Sequence, residues 1–293
     1  MHRNLIIDLS NITHVIKHGK VKTPKSYAHK EDGVPQFIMR ETINYILSFA
    51  KQERINGIVI ACDSKKVWRK NLYPEYKANR EVKDDIYYEE TIEAMNLIKE
   101  FFRDHTSAFV LEVDHCEADD IIAVWCQRSK NVENIILSSD KDFMQLLDDH
   151  TFAYSPQTKK WLESPNSSYD LFVKCIRGDR GDNIRSAYPR VRTTKLEEAW
   201  NDKYKLLNLL ETVLPDGSKV DDNLEFNMKL IDLARIPKEI GDKIYQTIRE
   251  YKSGSYSEFD AAKFMKGLGI EKGIDQLFNN KDWSIKRSPR LAN

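Results

Sequence analysis

Asn134-Ile135-Ile136-Leu137-Ser138-Ser139-Asp140-Lys141-Asp142-Phe143 is the stretch on which the fold class turns. A short apolar run bounded by serines and acids reads as a strand buried on both faces, the kind found in parallel sheets. Leu5-Ile6-Ile7 and Gly57-Ile58-Val59-Ile60-Ala61-Cys62 have the same character, and 110–113 reads as a further strand. Helical spacing fills the gaps. Met39, Ile43, Ile46, Leu47 and Ala50 share one stripe, and Ile92, Met95, Ile98, Phe101 and Phe102 another. A third helix is expected to open near Glu117 and to carry Ile121, Ile122, Val124 and Trp125. Strand alternating with helix predicts an α/β fold: a three-layer α/β/α core with a mostly parallel sheet. After about residue 170 the pattern turns helical, with helices expected over 171–176, 196–213, 224–236 and 240–251. Residues 156–169 read as a surface connection, and 286–293 as a frayed end.

The 293 residues are 41% hydrophobic and 31% charged, a balance that excludes a largely disordered chain. Net charge is +0, so the total does not point to a polyanion, but its distribution does. Lys65, Lys66, Arg69, Lys70, Lys77 and Arg80 stand against Glu75, while Arg185, Arg190, Arg192 and Lys195 lie in a stretch without acids. The four cysteines form no C-x-x-C and the seven histidines no close ligand pair, which argues against a zinc site or a disulfide framework. A reducing cytoplasm is the expected home. No apolar stretch reaches the length of a signal-peptide core or a membrane span.

The acids carry the chemistry. Asp8 follows the first strand and Asp63 the second; Glu117, Asp119 and Asp120 open a helix; Asp140 and Asp142 follow the strand quoted above. Ligands of open parallel sheets bind outside the carboxyl ends of the strands, so these acids should share one crevice. Asp179 and Asp182 are three apart and should share one face of a helical turn. Taken singly, each acid is an ordinary helix cap or first-turn residue. Capping does not need a second acid at Asp142 or the pair Asp119-Asp120, and crowded carboxylates repel unless cations neutralise them. Oxygen ligands without His or Cys suit Mg²⁺, with Mn²⁺ as a substitute. Two such ions can clamp the attacking and leaving oxygens of a phosphodiester displacement.

These residues resemble the bacteriophage 5′-nuclease family of flap endonucleases, above all its T-even-type RNase H branch. The matching pieces run in order. They are Ile6-Ile7-Asp8, Cys62-Asp63, Tyr76-Lys77-Ala78-Asn79-Arg80, Glu117-Ala118-Asp119-Asp120, Ser138-Ser139-Asp140-Lys141-Asp142-Phe143 and Gly178-Asp179-Arg180-Gly181-Asp182-Asn183-Ile184. The resemblance implies a PIN-like nuclease core with an arch near 64–105. Its catalytic domain would run over 1–180 and a helical DNA-binding domain over 181–293. Two Mg²⁺ ions are implied, one on Asp63, Glu117, Asp119 and Asp120 with Asp8 close by, the other on Asp140, Asp142, Asp179 and Asp182. Lys77 and Arg80 would be catalytic, acting on the scissile phosphate. The implied activity is 5′ to 3′ exonuclease and flap endonuclease with RNase H activity, removing RNA primers during phage replication and leaving a 5′-phosphate. Flap and nicked duplex DNA and RNA–DNA hybrid are the implied substrates. A single-stranded-DNA-binding protein or a sliding clamp is the implied partner, and the protein is expected to be a monomer in the host cytoplasm.

Two departures from the family pattern stand out. Lys141 takes the place of a usual glycine, and the glycine-rich hairpin expected after Ile184 is missing, so a potassium site is not carried over. Duplex binding would rest instead on Arg190, Arg192, the adjacent threonines and Lys195. Trp68, Arg69, Tyr73 and Tyr76 interleave cations with rings, the pattern that binds single strands, and Tyr76 could stack on a terminal base. The rival readings are a PIN-type ribonuclease and a metal-free module that binds branched DNA.

Overall fold

A computed structural model describes residues 2–20, 33–80, 87–252 and 258–269. Five strands run parallel: β1 (Arg3–Asp8), β2 (Gly57–Cys62), β3 (Phe109–Glu112), β4 (Glu133–Leu137) and β5 (Thr151–Ser155). A short sixth, β6 (Lys160–Leu162), pairs antiparallel with β5, giving the order β3-β2-β1-β4-β5-β6. Successive side chains point to opposite faces of a strand. Leu5, Ile7, Ile58, Ile60, Ile135 and Leu137 accordingly join one apolar cluster with α1 (Leu9–Lys20), α2 (Gly33–Gln52) and α4 (Tyr88–His105). The opposite face is covered by α5 (Ala118–Arg128), whose Ile121, Ile122 and Trp125 are fully buried. Each buried Ile or Leu contributes about 1.5–3 kcal/mol. The three-layer α/β/α architecture expected from the sequence is the one found.

The chain forms two compact units. Of the described residues, those within 1–65, 84–162 and 239–293 form a sheet unit, and those within 66–83 and 163–238 a helical unit. The helical unit holds α3 (Trp68–Leu72), α6 (Ser167–Arg177), α7 (Thr193–Asn201), α8 (Lys203–Leu210) and α9 (Val220–Ile231) around Ile176, Leu196, Leu209 and Leu230. The helices α10 (Lys238–Glu250) and α11 (Glu258–Gly267) follow it.

This division differs from the expected boundary after residue 180. After α10 the chain packs back on the sheet unit, where Tyr251 stacks on Phe109 and its hydroxyl accepts from Val110 N and donates to Ala108 O. Of the arch expected near 64–105, α3 and the turn through Arg80 belong to the helical unit and α4 to the sheet unit. Residues 81–86 and 286–293 lie outside the described residues.

Two strands went unread in the sequence. Thr151–Ser155 alternates buried and open positions, and the stretch taken for a surface connection begins as a hairpin, with Lys159 at φ 56° in place of a turn glycine. The helix expected over 196–213 is broken at Asp202, whose Oδ1 accepts from Tyr204 N at 2.8 Å and Lys205 N at 3.2 Å and so starts α8 afresh. The one expected over 224–236 stops at Ile231, and Leu233–Arg235 continues as a 3-10 turn before Pro237.

Candidate active site

In the order β3-β2-β1-β4, the chain leaves β1 for β2 on one side, while β4 pairs with its other side, so a topological switch point lies beside β1. Asp8 is the last residue of β1, level with Ala61 of β2, and its neighbour Ile7 is level with Leu137 of β4. The carboxyl ends of these strands therefore bring Asp8, Asp63 and Asp140 to one edge, and Glu117 follows β3 at the same edge.

Asp8 is 7% exposed. Its Oδ1 accepts from Asn11 N and its Oδ2 from Ser138 Oγ, both at 3.0 Å. Burial, then the negative charges of Asp63 and Asp140, push its carboxyl up to about 7 against those two hydrogen bonds. Asn11 also accepts from Ser139 N at 2.9 Å, tying the start of α1 to the loop after β4. The sequence reading did not single out Asn11; its place three residues after Asp8, at the strand-to-helix turn, was the available signal.

Asp63 is exposed, and its Oδ1 accepts from Ala118 N at 2.9 Å, linking the end of β2 to the first turn of α5. Glu117 and Asp120 are buried and form a reciprocal capping box, Glu117 N donating to Asp120 Oδ2 at 3.0 Å. Asp119 is half-buried in the same turn. Asp140 Oδ1 accepts from Asp142 N at 2.8 Å and caps the 3-10 turn Lys141–Leu146, on which Lys141 is exposed. Capping and function are thus not alternatives: Asp8, Asp63, Glu117, Asp120 and Asp140 each bind a backbone amide while lying along the edge. Among the described residues no group of three or more His, Cys, Asp or Glu is drawn tightly enough to enclose a metal ion. The donor set nonetheless fits a hard divalent cation, because it is all oxygen and burial, with the negative charges of Asp63 and Asp140, raises the Asp8 carboxyl when no cation is there to neutralise it.

Asp179 and Asp182 lie in the helical unit and not on a helical turn. After α6 the chain turns at Gly178 and closes a hairpin bridge between Asp179 and Ile184. Gly178 has φ 70°, and a Cβ there would stand 2.4 Å from Ile184 O and 2.5 Å from Arg185 O, so no other residue fits. Asp179 Oδ1 accepts from Gly181 N at 2.7 Å, and Oδ2 pairs with Lys174 at 2.8 Å. Burial opposes ionisation, yet Lys174 and the amides of Gly181 and Asp182 hold the Asp179 carboxyl below the usual range. Asp182 meets Arg80 Nη2 at 2.5 Å, Tyr76 Oη at 3.2 Å and Lys77 Nζ at 4.0 Å. Both acids are thus engaged by cations of their own unit.

Three of the expected nucleic-acid contacts are interior. Trp68 is 8% exposed, Arg69 3% and Tyr76 3%. Arg69 Nε donates to Leu230 O at 2.8 Å while its guanidinium lies 4.5 Å from the Trp68 ring, and Tyr76 joins the helical unit's core. Packing accounts for these rings, since Trp68 and Tyr76 are both buried. Arg190, Arg192 and Lys195 are exposed as expected. Lys195 Nζ lies 4.6 Å over the Tyr188 ring. Beside them a groove of about 810 Å³ is lined by Arg177, Arg180, Arg185 and Arg190, with Asn183 and Tyr188.

A parallel α/β sheet with carboxylates at adjacent strand ends, and no glycine-rich phosphate loop, is the frame of a phosphodiester-cleaving enzyme more than of a nucleotide carrier. Comparison with known proteins makes this specific. The model of the 5′-3′ exonuclease N-terminal, resolvase-like domain matches residues 3–170. Ribonuclease H of Enterobacteria phage T4 is 27% identical over 243 residues, covering 73% of this chain and 77% of that protein. The flap endonuclease of Escherichia phage T5 is 27% identical over 288 residues, covering 85% and 92%. The solved structure of the T5 D15 protein co-crystallised with metal ions superimposes with a TM-score of 0.64 at 21% identity, covering 85% of this chain and 99% of that one. Against the longer DNA polymerase I of Rhizobium leguminosarum, the chain spans 22% of the length. The chain belongs to the 5′-3′ exonuclease family, and it is a nuclease, a phosphodiester hydrolase.

Proposed function

We propose that the chain is a structure-specific 5′-nuclease that trims 5′ ends, cuts 5′ flaps and degrades the RNA strand of RNA–DNA hybrids, the work of primer removal in phage replication. The observation that carries this reading is the carboxylate edge: Asp8, Asp63, Glu117 and Asp140 at the ends of adjacent parallel strands in a member of this family. Asp63, Glu117, Asp119 and Asp120 would hold one Mg²⁺ ion and Asp140 with Asp142 another, with Asp8 close to both. When bound, such ions supply Lewis-acid charge to the phosphodiester and to the attacking water.

The chain's own residues do the rest. Asn11 and Ser138 fix the Asp8 carboxylate and the loop carrying Asp140, so the donors are positioned before substrate arrives. Lys77 and Arg80 offer positive charge where it develops negatively on a phosphate in the transition state. Arg190, Arg192 and Lys195, with the arginine-lined groove, engage the backbone of the duplex portion. The relatives' printed names, ribonuclease H and flap endonuclease, support these substrates. A PIN-type ribonuclease is the weaker reading, given the family match, and a metal-free binding module would not keep the full set of edge acids. On the resemblance alone we extend the proposal to a monomer in the host cytoplasm that works with a single-stranded-DNA-binding protein or a sliding clamp. Among the described residues no helix is long and apolar enough to cross a membrane.

Nicked duplexes with an RNA or a DNA 5′ strand test the substrate claim. With Mg²⁺ present, 5′ fragments should be released from both. Release from DNA but not from RNA would remove the primer-removal role and leave a DNA flap nuclease.

A further inference from the structure

We propose that His14 and His18, on one face of α1, form a metal site separate from the carboxylate edge and suited to a borderline divalent ion, Zn²⁺ foremost. Nothing in the nuclease reading requires this site, and the two readings stand or fall separately.

The sequence reading passed over one pair among the seven histidines: His14 and His18 are four residues apart. The helix runs unbroken from Leu9 to Lys20, so that spacing is about one turn and sets both side chains on the same face. The two rings stand side by side, with centroids 6.1 Å apart and planes 21° from parallel. An ion about 2.1 Å from one nitrogen of each ring, at a near-tetrahedral angle, places the ligating centroids about 5 Å apart. Side-chain rotation of about 1 Å, with no change of backbone, therefore closes the pair on one ion.

The pair is accessible. His18 is exposed and His14 half-buried. Among the described residues, His18 meets no partner other than the His14 ring. A Cβ on Gly19 would find nothing within 4 Å, so the space beside His18 is open. Lys17 is 2% exposed, which leaves the imidazoles and not its ammonium to form this part of the surface.

Neutral imidazole nitrogens favour Zn²⁺, Cu²⁺ and Ni²⁺, whereas Mg²⁺ prefers oxygen ligands and keeps its waters. The two sites thus sort cations by ligand type. They are also apart in space: at the helical rise, His14 and His18 lie about 9 and 15 Å along the axis from Asp8. Two protein ligands leave the remaining positions of the ion to water, as in an exchangeable site and unlike a closed structural one. A bound ion ties successive turns of α1 together, and this helix carries in its first turn the Asn11 amide that holds Asp8. Occupancy should therefore stabilise the folded chain.

Zn²⁺ titration of the full chain by calorimetry, with Mg²⁺ in large excess to occupy the oxygen ligands, tests the site. Wild type should bind one Zn²⁺, and His14→Ala and His18→Ala should each weaken that binding at least tenfold. Cu²⁺ followed by electron paramagnetic resonance should show coupling to two imidazole nitrogens in wild type and to one in His18→Ala. In excess Mg²⁺, Zn²⁺ should raise the melting midpoint of wild type more than that of His18→Ala. No Zn²⁺ binding by wild type, an isotherm unchanged in His18→Ala, or a Cu²⁺ spectrum without two nitrogens overturns the inference. Should His14→Ala fail to fold, the exposed His18→Ala decides alone. Failure of the nuclease reading would show elsewhere, as wild-type protein with Mg²⁺ leaving flap substrates intact.

Discussion

Asp8 has strongly perturbed acid chemistry. Its carboxyl is raised from 3.8 to about 7 by burial and by Asp63 and Asp140. Above pH 4 the unfolded chain has released this proton while the folded chain keeps it, so stability falls as pH climbs towards 7 and levels off beyond. The cost at pH 8 is on the order of 4 kcal/mol without a cation. Thermal melts in EDTA should therefore show Asp8→Asn melting above wild type at pH 8 and level with it at pH 4. Mg²⁺ at pH 8 should raise the wild-type midpoint and move that of the variant little. Parallel pH profiles for the two proteins would mean that Asp8 is not the strained group. Single residues were legible in the sequence to different degrees. The edge acids were, because a carboxylate directly after an apolar run has few ordinary reasons to recur. Trp68, Arg69 and Tyr76 were misjudged because interleaved rings and cations look alike whether they face solvent or, as with Arg69 on Leu230 O, are buried and satisfied by a backbone carbonyl.

At the scale of elements, the strand–helix alternation was readable because β1, β2 and β4 are buried on both faces and so keep unbroken apolar runs. Strands β5 and β6 were not readable: one buries Thr151 and Ser155 while exposing Phe152, the other has three residues, and their turn lacks a glycine. The helical breaks at Asp202 and Asp232 come from side-chain caps inside an otherwise continuous apolar pattern, which periodicity cannot detect. The hairpin after α6 is the element most exposed to a single change. Gly178→Ala should destabilise the protein by about 2 kcal/mol or more, because a Cβ meets two carbonyl oxygens at a left-handed position. Urea unfolding checks this, and a midpoint within error of wild type would show that the hairpin can open without loss.

At the scale of the molecule, a chain of net charge +0 must bind a polyanion through local surface and not through its total field. Replacing Arg190, Arg192 or Lys195 with alanine should weaken duplex binding for every sequence alike and lower the slope of log affinity against log salt by about 1 each. Anisotropy titrations between low and moderate salt would reveal it, and an unchanged slope would place the duplex elsewhere. The two units also explain why the domain division was hard to read: the chain passes from the sheet unit to the helical unit and back twice, and no composition shift marks the returns. The carboxylate edge, we propose, cuts phosphodiesters from the 5′ side. Its most direct test is a 5′-labelled flap DNA incubated with wild type and with an Asp140→Asn, Asp142→Asn double variant, in Mg²⁺ and in EDTA. Release of labelled 5′ fragments by wild type in Mg²⁺ alone, lost in the variant, is the predicted result. Binding without cleavage by wild type in Mg²⁺, or cleavage that survives in the variant, would contradict it.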